Sequence, residues 1–284
     1  MTDEIAAEKP QIVIENLVKR FGERTVLDHI NMSIDRGETV VVIGGSGAGK
    51  STLVRHLIAL ERPTSGQILV DGVNMAALDD YELSKIRRRF GMVFQKYALF
   101  DSMSVFDNVA FPLREQTKLA EREIKERVMG KLEDLGVGHA APRMPSEISG
   151  GMAKRVGIAR ALVMEPEILI YDEPTSGLDP VTSRTVDELI EEMRERFGVT
   201  SVVITHDMAS AFDIADRVAM LVHGKIAVEG TPETVMASDH EAVRRFVHSS
   251  AIDPARVSGR TRKSPHEIRE MRLARLAAAG TPVI

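Results

Sequence analysis

The 284-residue chain contains no cysteine. That excludes disulfides, thiolate-bound metals, iron–sulfur clusters and a cysteine nucleophile, and it fits a reducing compartment. Long apolar runs are also missing: Thr39–Ile43 and Ile168–Tyr171 have strand length, far short of the ~18 residues that span a bilayer. The opening MTDEIAAEKP is acidic and lacks the apolar centre of a secretion signal. Nor is there an excess of positive charge, since 37 Lys and Arg against 42 Asp and Glu leave −5. No nucleic-acid partner is expected from that balance. The absences predict a soluble chain that reaches a membrane only through another protein.

What is present reads as a mixed α/β core with an antiparallel start, a helical insertion and a C-terminal extension. QIVIENLV, RTVLDHINMSI and TVVVIG read as strands, the last β-branched throughout as a buried parallel strand should be. The helix KSTLVRHLIALE follows, and GQILVDGVNM reads as a hairpin turning at Asp71-Gly72. A basic helix, YELSKIRRR, and a short strand, GMVFQ, come next. Residues 97–162 are predominantly helical, with Leu119, Ile124, Val128, Leu132 and Leu135 spaced for one face. The β/α alternation then returns through ILIYDEP, TSVVITHD and RVAMLVHGKIAVEG. The core is expected to span 11–247, leaving 248–284 as a basic extension.

GGSGAGKST, Gly44 to Thr52, fits G-x-x-x-x-G-K-[ST] between a buried strand and a helix. An ordinary glycine-rich turn would not need the closing Lys-Ser. Amides from Gly44, Gly45, Ser46, Gly47, Ala48 and Gly49 can turn inward around phosphates, and the helix start at Lys50, Ser51 and Thr52 adds positive potential. Lys50 would meet the β- and γ-phosphates, and the Ser51 hydroxyl a Mg²⁺ ion.

ILIYDEP ends four apolar residues on Asp172 and Glu173, where α/β sheets place ligands. Adjacent carboxylates after a buried run are costly without a cation. Asp172 is therefore expected at the Mg²⁺ and Glu173 as general base for the attacking water. A strand-end histidine such as His206 is more often structural than catalytic, and Gln95 alone would be unremarkable. Together with the loop, His206 and Gln95 would surround one γ-phosphate as catalytic residues, Gln95 doubling as a metal ligand. Phe21, in KRFGER, reads either as a turn aromatic or as a platform for a base.

In order, RFG, GGSGAGKST, FQ, ISGGM, ILIYDEP, SGLD and ITHD resemble the ATP-binding subunits of ABC transporters across about residues 11–240. The resemblance implies a P-loop ABC ATPase fold, ATP as nucleotide and Mg²⁺ as cofactor. It also implies a homodimer in which Ser149, Gly150 and Gly151 of one copy close on the γ-phosphate held by the other. Asp179 would then lie near the dimer seam. The common signature Leu-Ser-Gly-Gly-Gln here ends in Met152, which loses a side-chain amide and keeps Ser149 and the backbone donors.

ALFDSMSVFDNVAFPLREQTKLAEREI, with ISGGM, looks like the subfamily energising Mla- and Mce-type lipid transporters. That likeness implies phospholipid cargo, an integral-membrane permease, an MCE-domain lipid-binding protein, and a peripheral place on the cytoplasmic face of the inner membrane. The alternatives are a small-solute importer for amino acids, polyamines or sugars, and a soluble non-transport ATPase. In the extension, Ser264-Pro265-His266-Glu267 predicts a helix to about Ala279, interrupted on its apolar side by Arg272. The basic tail, residues 253–284, reads either as a solvated, fraying end or as an arm that docks across the seam on the acidic body of a neighbouring copy.

Overall fold

The computed structural model describes residues 9–94, 97–249 and 263–278. Two sheets organise them. The first is antiparallel and joins β1 (Ile12–Phe21), β2 (Arg24–Ile34), β4 (Ser65–Val70) and β5 (Val73–Asn74) in the order β2-β1-β4-β5. The second runs β10-β9-β3-β8-β7-β6, from β3 (Thr39–Ile43), β6 (Phe90–Phe94), β7 (Ile168–Asp172), β8 (Thr200–Thr205), β9 (Arg217–Val222) and β10 (Lys225–Gly230). Its strands are parallel except β10, which pairs antiparallel with β9 at the edge.

The β-branched composition of β3 explains its central position. Val40 and Val42 face the core between the two sheets, whereas Val41 and Ile43 face the core under the helices. All four are fully buried, so neither face of the strand meets water. The parallel arrangement carries β3, β6, β7 and β8 to the same edge. There the chain leaves the sheet after Ile43, Phe94, Asp172 and Thr205.

The helical part comprises α3 (Val105–Gln116), α4 (Glu121–Asp134) and α5 (Gly150–Leu162). Ile124, Val128, Leu132 and Leu135 are buried together as their spacing predicts, and Leu119 packs partly buried against them. The β4–β5 hairpin turns at Asp71 and Gly72, with φ of 50° and 78°, as a two-residue primed turn requires. Two helix ends depart from expectation. α1 (Lys50–Leu57) stops before Glu61 because Ala59 adopts φ 54°. α2 (Asp80–Arg87) starts before Tyr81, where Asp79 and Glu82 form a reciprocal capping box.

The remaining helices are α6 (Pro180–Phe197), α7 (Met208–Ile214), α8 (Pro232–Met236), α9 (Glu241–Ser249) and α10 (Pro265–Ala278). Among the described residues, no helix is long and apolar enough to cross a membrane. α10 is capped as expected, with Glu267 N–H donating to Ser264 and the Glu267 carboxylate accepting from Ser264 N–H. Its docking surface is the chain's own body. Ile268 is fully buried, Lys263 pairs with Glu195 on α6 at 2.6 Å, and Arg194 donates to the Lys263 carbonyl. A methyl group on Gly198 would lie 2.2 Å from Arg272 Cβ, so the helix fits only against glycine there.

Arg272, expected to interrupt the apolar side, donates to the Pro166 and Phe197 carbonyls. The second of these is an orphan acceptor at the end of α6. Within the single chain α10 is seated on α6, which satisfies these groups locally. A buried isoleucine and these polar ties stabilise by about 2–3 kcal/mol. Removing residues 250–284 should therefore lower the thermal midpoint by roughly 5–10 °C. An unchanged midpoint in a melting experiment would contradict this seat.

Candidate functional site

The turn after β3 is shaped by close backbone approaches. Gly44 lies against Leu221, where a Cβ would come 2.4 Å from the carbonyl oxygen. Gly49, at φ 111°, starts α1 and leaves no room beside Val26 and Leu27. Between them Gly45, Ser46, Gly47 and Ala48 arch over the helix start. Lys50 is buried, and its Nζ donates to the Gly44 carbonyl at 2.7 Å and to Gly45 at 3.3 Å. Ser51 is exposed in the first turn, while the Thr52 carbonyl pairs with His56 Nδ1 at 2.7 Å.

Two strands away, Glu173 follows β7 with φ 51°, a conformation a glutamate rarely adopts. Its amide donates to the Ile204 carbonyl on β8, which holds the strained turn in place. One carboxylate oxygen is 3.7 Å from Lys50 Nζ, and the other is 2.7 Å from His206 Nδ1. The His206 amide also donates to that second oxygen at 3.3 Å. Glu173 therefore links the loop after β3 to the end of β8. Three residues far apart in sequence converge here, and His206 positions the carboxylate.

Asp172, the last residue of β7, is half-buried. Burial, and then the Glu173 charge beside it, push its carboxyl above the ordinary carboxylate range, with Lys50 and Arg55 opposing. A bound cation would remove that penalty. One carboxylate, one hydroxyl from Ser51 and phosphate oxygens are the kind of set Mg²⁺ takes, since it needs few protein ligands. Among the described residues no group of three or more His, Asp or Glu forms an all-protein metal site. Gln95, expected as a further ligand, lies outside the described residues. Phe21 closes β1, is 47% exposed and has Lys19 Nζ 4.9 Å from its ring centre.

The signature turn stands on another layer. Ser149 caps α5, its hydroxyl accepting from the Met152 amide at 3.3 Å. α5 packs on α3, α4 and β6, whereas α1 leans on β2 and β7. The starts of α1 and α5 thus belong to separate parts of one chain. Gly150 and Gly151 are exposed, and a Cβ on either would touch nothing. Their smallness serves no contact among the described residues. Met152, by contrast, packs inward against the helical core. Asp179 is exposed and caps α6, accepting from the Val181 and Thr182 amides and from the Thr182 hydroxyl at 2.5 Å.

A latch that sequence reasoning missed joins the signature helix to the turn after Gln95. Arg160 on α5 donates to the Tyr97 carbonyl at 2.6 Å and to Ala98 at 2.8 Å. Asn108 on α3 ties the same turn through the Phe100 amide and carbonyl and the Met103 carbonyl. Tyr97 and Ala98 both have positive φ, at 57° and 42°. Sequence spacing gave Arg160 and Asn108 no periodic role; only the folded turn shows why the polar groups are there. Lys154, one turn beyond the signature, is buried beside Tyr97, and its Nζ has no hydrogen-bond partner among the described residues.

A phosphate-binding turn, a strand-end Asp-Glu pair and a histidine on the acid define a nucleotide-hydrolysing cassette. Residues 27–176 match the family described as ABC transporter. Over 233 residues the chain is 42% identical to the intermembrane phospholipid transport system ATP-binding protein MlaF of Escherichia coli K12. That match covers 82% of this chain and 87% of MlaF. It is 41% identical over 247 residues to the probable ribonucleotide transport ATP-binding protein mkl of Mycobacterium leprae, covering 87% of this chain and 71% of that protein. The fold matches the dimeric post-hydrolysis cassette MJ0796 bound to ADP and Pi, with a TM-score of 0.68 and 34% identity. This match spans 78% of this chain and 98% of the cassette. The chain belongs to the ABC transporter family.

Proposed function

We propose that this chain is the ATP-hydrolysing motor subunit of a transporter moving phospholipid through the cell envelope. The observation that carries the motor reading is Glu173, held in a strained turn between Lys50 and His206. Water attacks the γ-phosphorus of ATP, the bond to the ADP oxygen breaks, and Glu173 takes the proton of the water. His206 keeps the carboxylate aimed. Lys50 leaves the Gly44 and Gly45 carbonyls and turns its charge to the β- and γ-phosphates. Ser51, Asp172 and Gln95 would hold Mg²⁺, which neutralises phosphate charge when bound.

A single copy offers donors on one side of the γ-phosphate only. The Ser149 hydroxyl, the Gly150 and Gly151 amides and the start of α5 supply the far side when a second copy closes. Open space around both glycines supports this reading, because it leaves room for a partner's nucleotide against their amides. Asp179, at the exposed start of α6, stands at the seam, and Phe21 offers its ring to adenine. The turn from Tyr97 to Met103, latched to α5, couples these events to an integral-membrane permease. An MCE-domain lipid-binding protein completes the assembly, and the chain sits peripherally on the cytoplasmic face.

Likeness to MlaF along most of both chains supports phospholipid as the cargo. The name of mkl supports a second reading, transport of a small phosphorylated solute. Disrupting the gene in a host with two membranes separates them. Lipid transport predicts disturbed lipid distribution in the envelope and raised detergent sensitivity. An intact envelope together with lost uptake of a nucleotide or another small solute would overturn the lipid reading.

A further inference from the structure

α6 and α7 meet across largely apolar surfaces. Val186, Leu189 and Ile190 of α6 belong to the same buried cluster as Met208, Ala211 and Phe212 of α7. Between these helices Asp187 and Ser210 are buried too, and the Ser210 hydroxyl donates to Asp187 Oδ1 at 2.5 Å. A buried carboxylate is costly, and an apolar pair of the same shape often holds two elements as well or better. Stability is therefore a poor reason for the pair. What a directional bond adds is register, fixing α7 at one position on α6 where apolar contact alone tolerates repacking.

α6 is the firm partner. Its Arg194 is fully buried, donating to the Gly37 carbonyl at 2.9 Å and pairing with Asp216 at 2.9 Å. α7 has only seven residues, too few to hold a helix by itself. Its start, however, carries His206. The Ser210 amide donates to Asp207 Oδ1 at 3.3 Å, and that cap also accepts from the Ala209 amide at 3.0 Å. The Asp207 amide in turn donates to the Thr205 hydroxyl at 3.0 Å. His206 thus sits between the end of β8 and the cap of α7. Its amide and its ring both reach Glu173, at 3.3 Å and 2.7 Å.

We infer that Asp187 is a positioning residue for hydrolysis: through Ser210 it sets α7, and with it His206 and the Glu173 carboxylate. The inference rests on the proposed roles of Glu173 and His206, and extends them to a pair that touches neither nucleotide nor water. Loosened from α6, α7 still packs, but its cap and His206 no longer have one position. The carboxylate then loses its aim while the phosphate turn, on another strand, keeps its grip on ATP. Hydrolysis is impaired and binding is not.

Two substitutions at this pair test the inference in the purified protein, with kcat, KM for ATP and the thermal midpoint measured together. Asp187→Val with Ser210→Ala replaces the polar pair by an apolar one of similar size. Asp187→Asn keeps an acceptor for the Ser210 hydroxyl. The double variant should lose roughly 10–100-fold in kcat, with KM and midpoint little changed. Asp187→Asn should stay within about threefold of the unaltered protein. A folded double variant with near-normal kcat would overturn the inference, and so would an equal loss in Asp187→Asn, which would make charge rather than register the cause. If the double variant fails to fold, Asp187→Asn with Ser210→Ala removes the bond with less change of shape and is judged in the same way. Glu173→Gln measured alongside keeps the two readings apart. Normal hydrolysis by that variant would sink the role of Glu173 itself, whereas a slow Glu173→Gln beside a normal double variant would sink only the role of Asp187.

Discussion

Glu173→Gln should hydrolyse ATP roughly 10²–10⁴-fold more slowly than the unaltered protein while still binding it. The amide is nearly the size of the carboxylate, so the turn held by Glu173 N–H on the Ile204 carbonyl can persist. What disappears is the acceptor for the proton of the attacking water. The ion pair with Lys50 is lost as well, which frees that charge for phosphate and should leave nucleotide affinity equal or higher. Blocked after binding, the variant should accumulate as a closed dimer with Mg-ATP. Turnover within a few-fold of normal in the purified protein would remove Glu173 as the base.

Ser149→Arg should abolish hydrolysis by a different route. Removing one preorganised donor costs roughly 10²–10³-fold, and the bulk of arginine at the start of α5 adds a steric barrier. The chain's own phosphate turn lies in another layer and remains intact, so one copy should bind ATP normally. Lys50→Ala has the reverse defect. It loses the buried ammonium that meets the phosphates but leaves the cap of α5 by Ser149 unchanged. Nucleotide titration of each variant beside its hydrolysis rate distinguishes the two defects.

Much of the core and of one half of the site was legible in the sequence. Thr39–Ile43 announced a central parallel strand because β-branched residues suit a site buried on both faces. Gly44 to Thr52 and Asp172-Glu173 were legible because their chemistry is local, a few adjacent residues at the end of one strand. The Glu173–His206 contact was only an association in the sequence; β8 had to lie beside β7 to make it. Arg160, Asn108 and the strained Tyr97 turn were invisible, since each is a long-range answer to unsatisfied carbonyls.

The extension shows the opposite error. Its cap and helix were readable from Ser264 to Glu267, but hydropathy alone made Arg272 a flaw. In the fold, Arg272 satisfies carbonyls at the end of α6 and of the Pro166 turn. Glu167 gives a similar case at the base of the sheets. Burial opposes its charge, yet Arg89 and Arg36 hold its carboxyl below the usual range and join β6 and β7 to the turn before β3. Such polar ties follow from which loops meet, and local sequence does not carry that.

The central claim is that each ATP site is built by two copies. Mixing Lys50→Ala and Ser149→Arg subunits tests it most directly. Each homodimer carries two damaged sites, whereas the mixed dimer has one doubly damaged site and one intact. The account predicts ATP retained in a closed mixed dimer at close to one nucleotide per two chains, well above either homodimer. Retention no greater than that of the better homodimer, with mixed dimers verified to form, would contradict it.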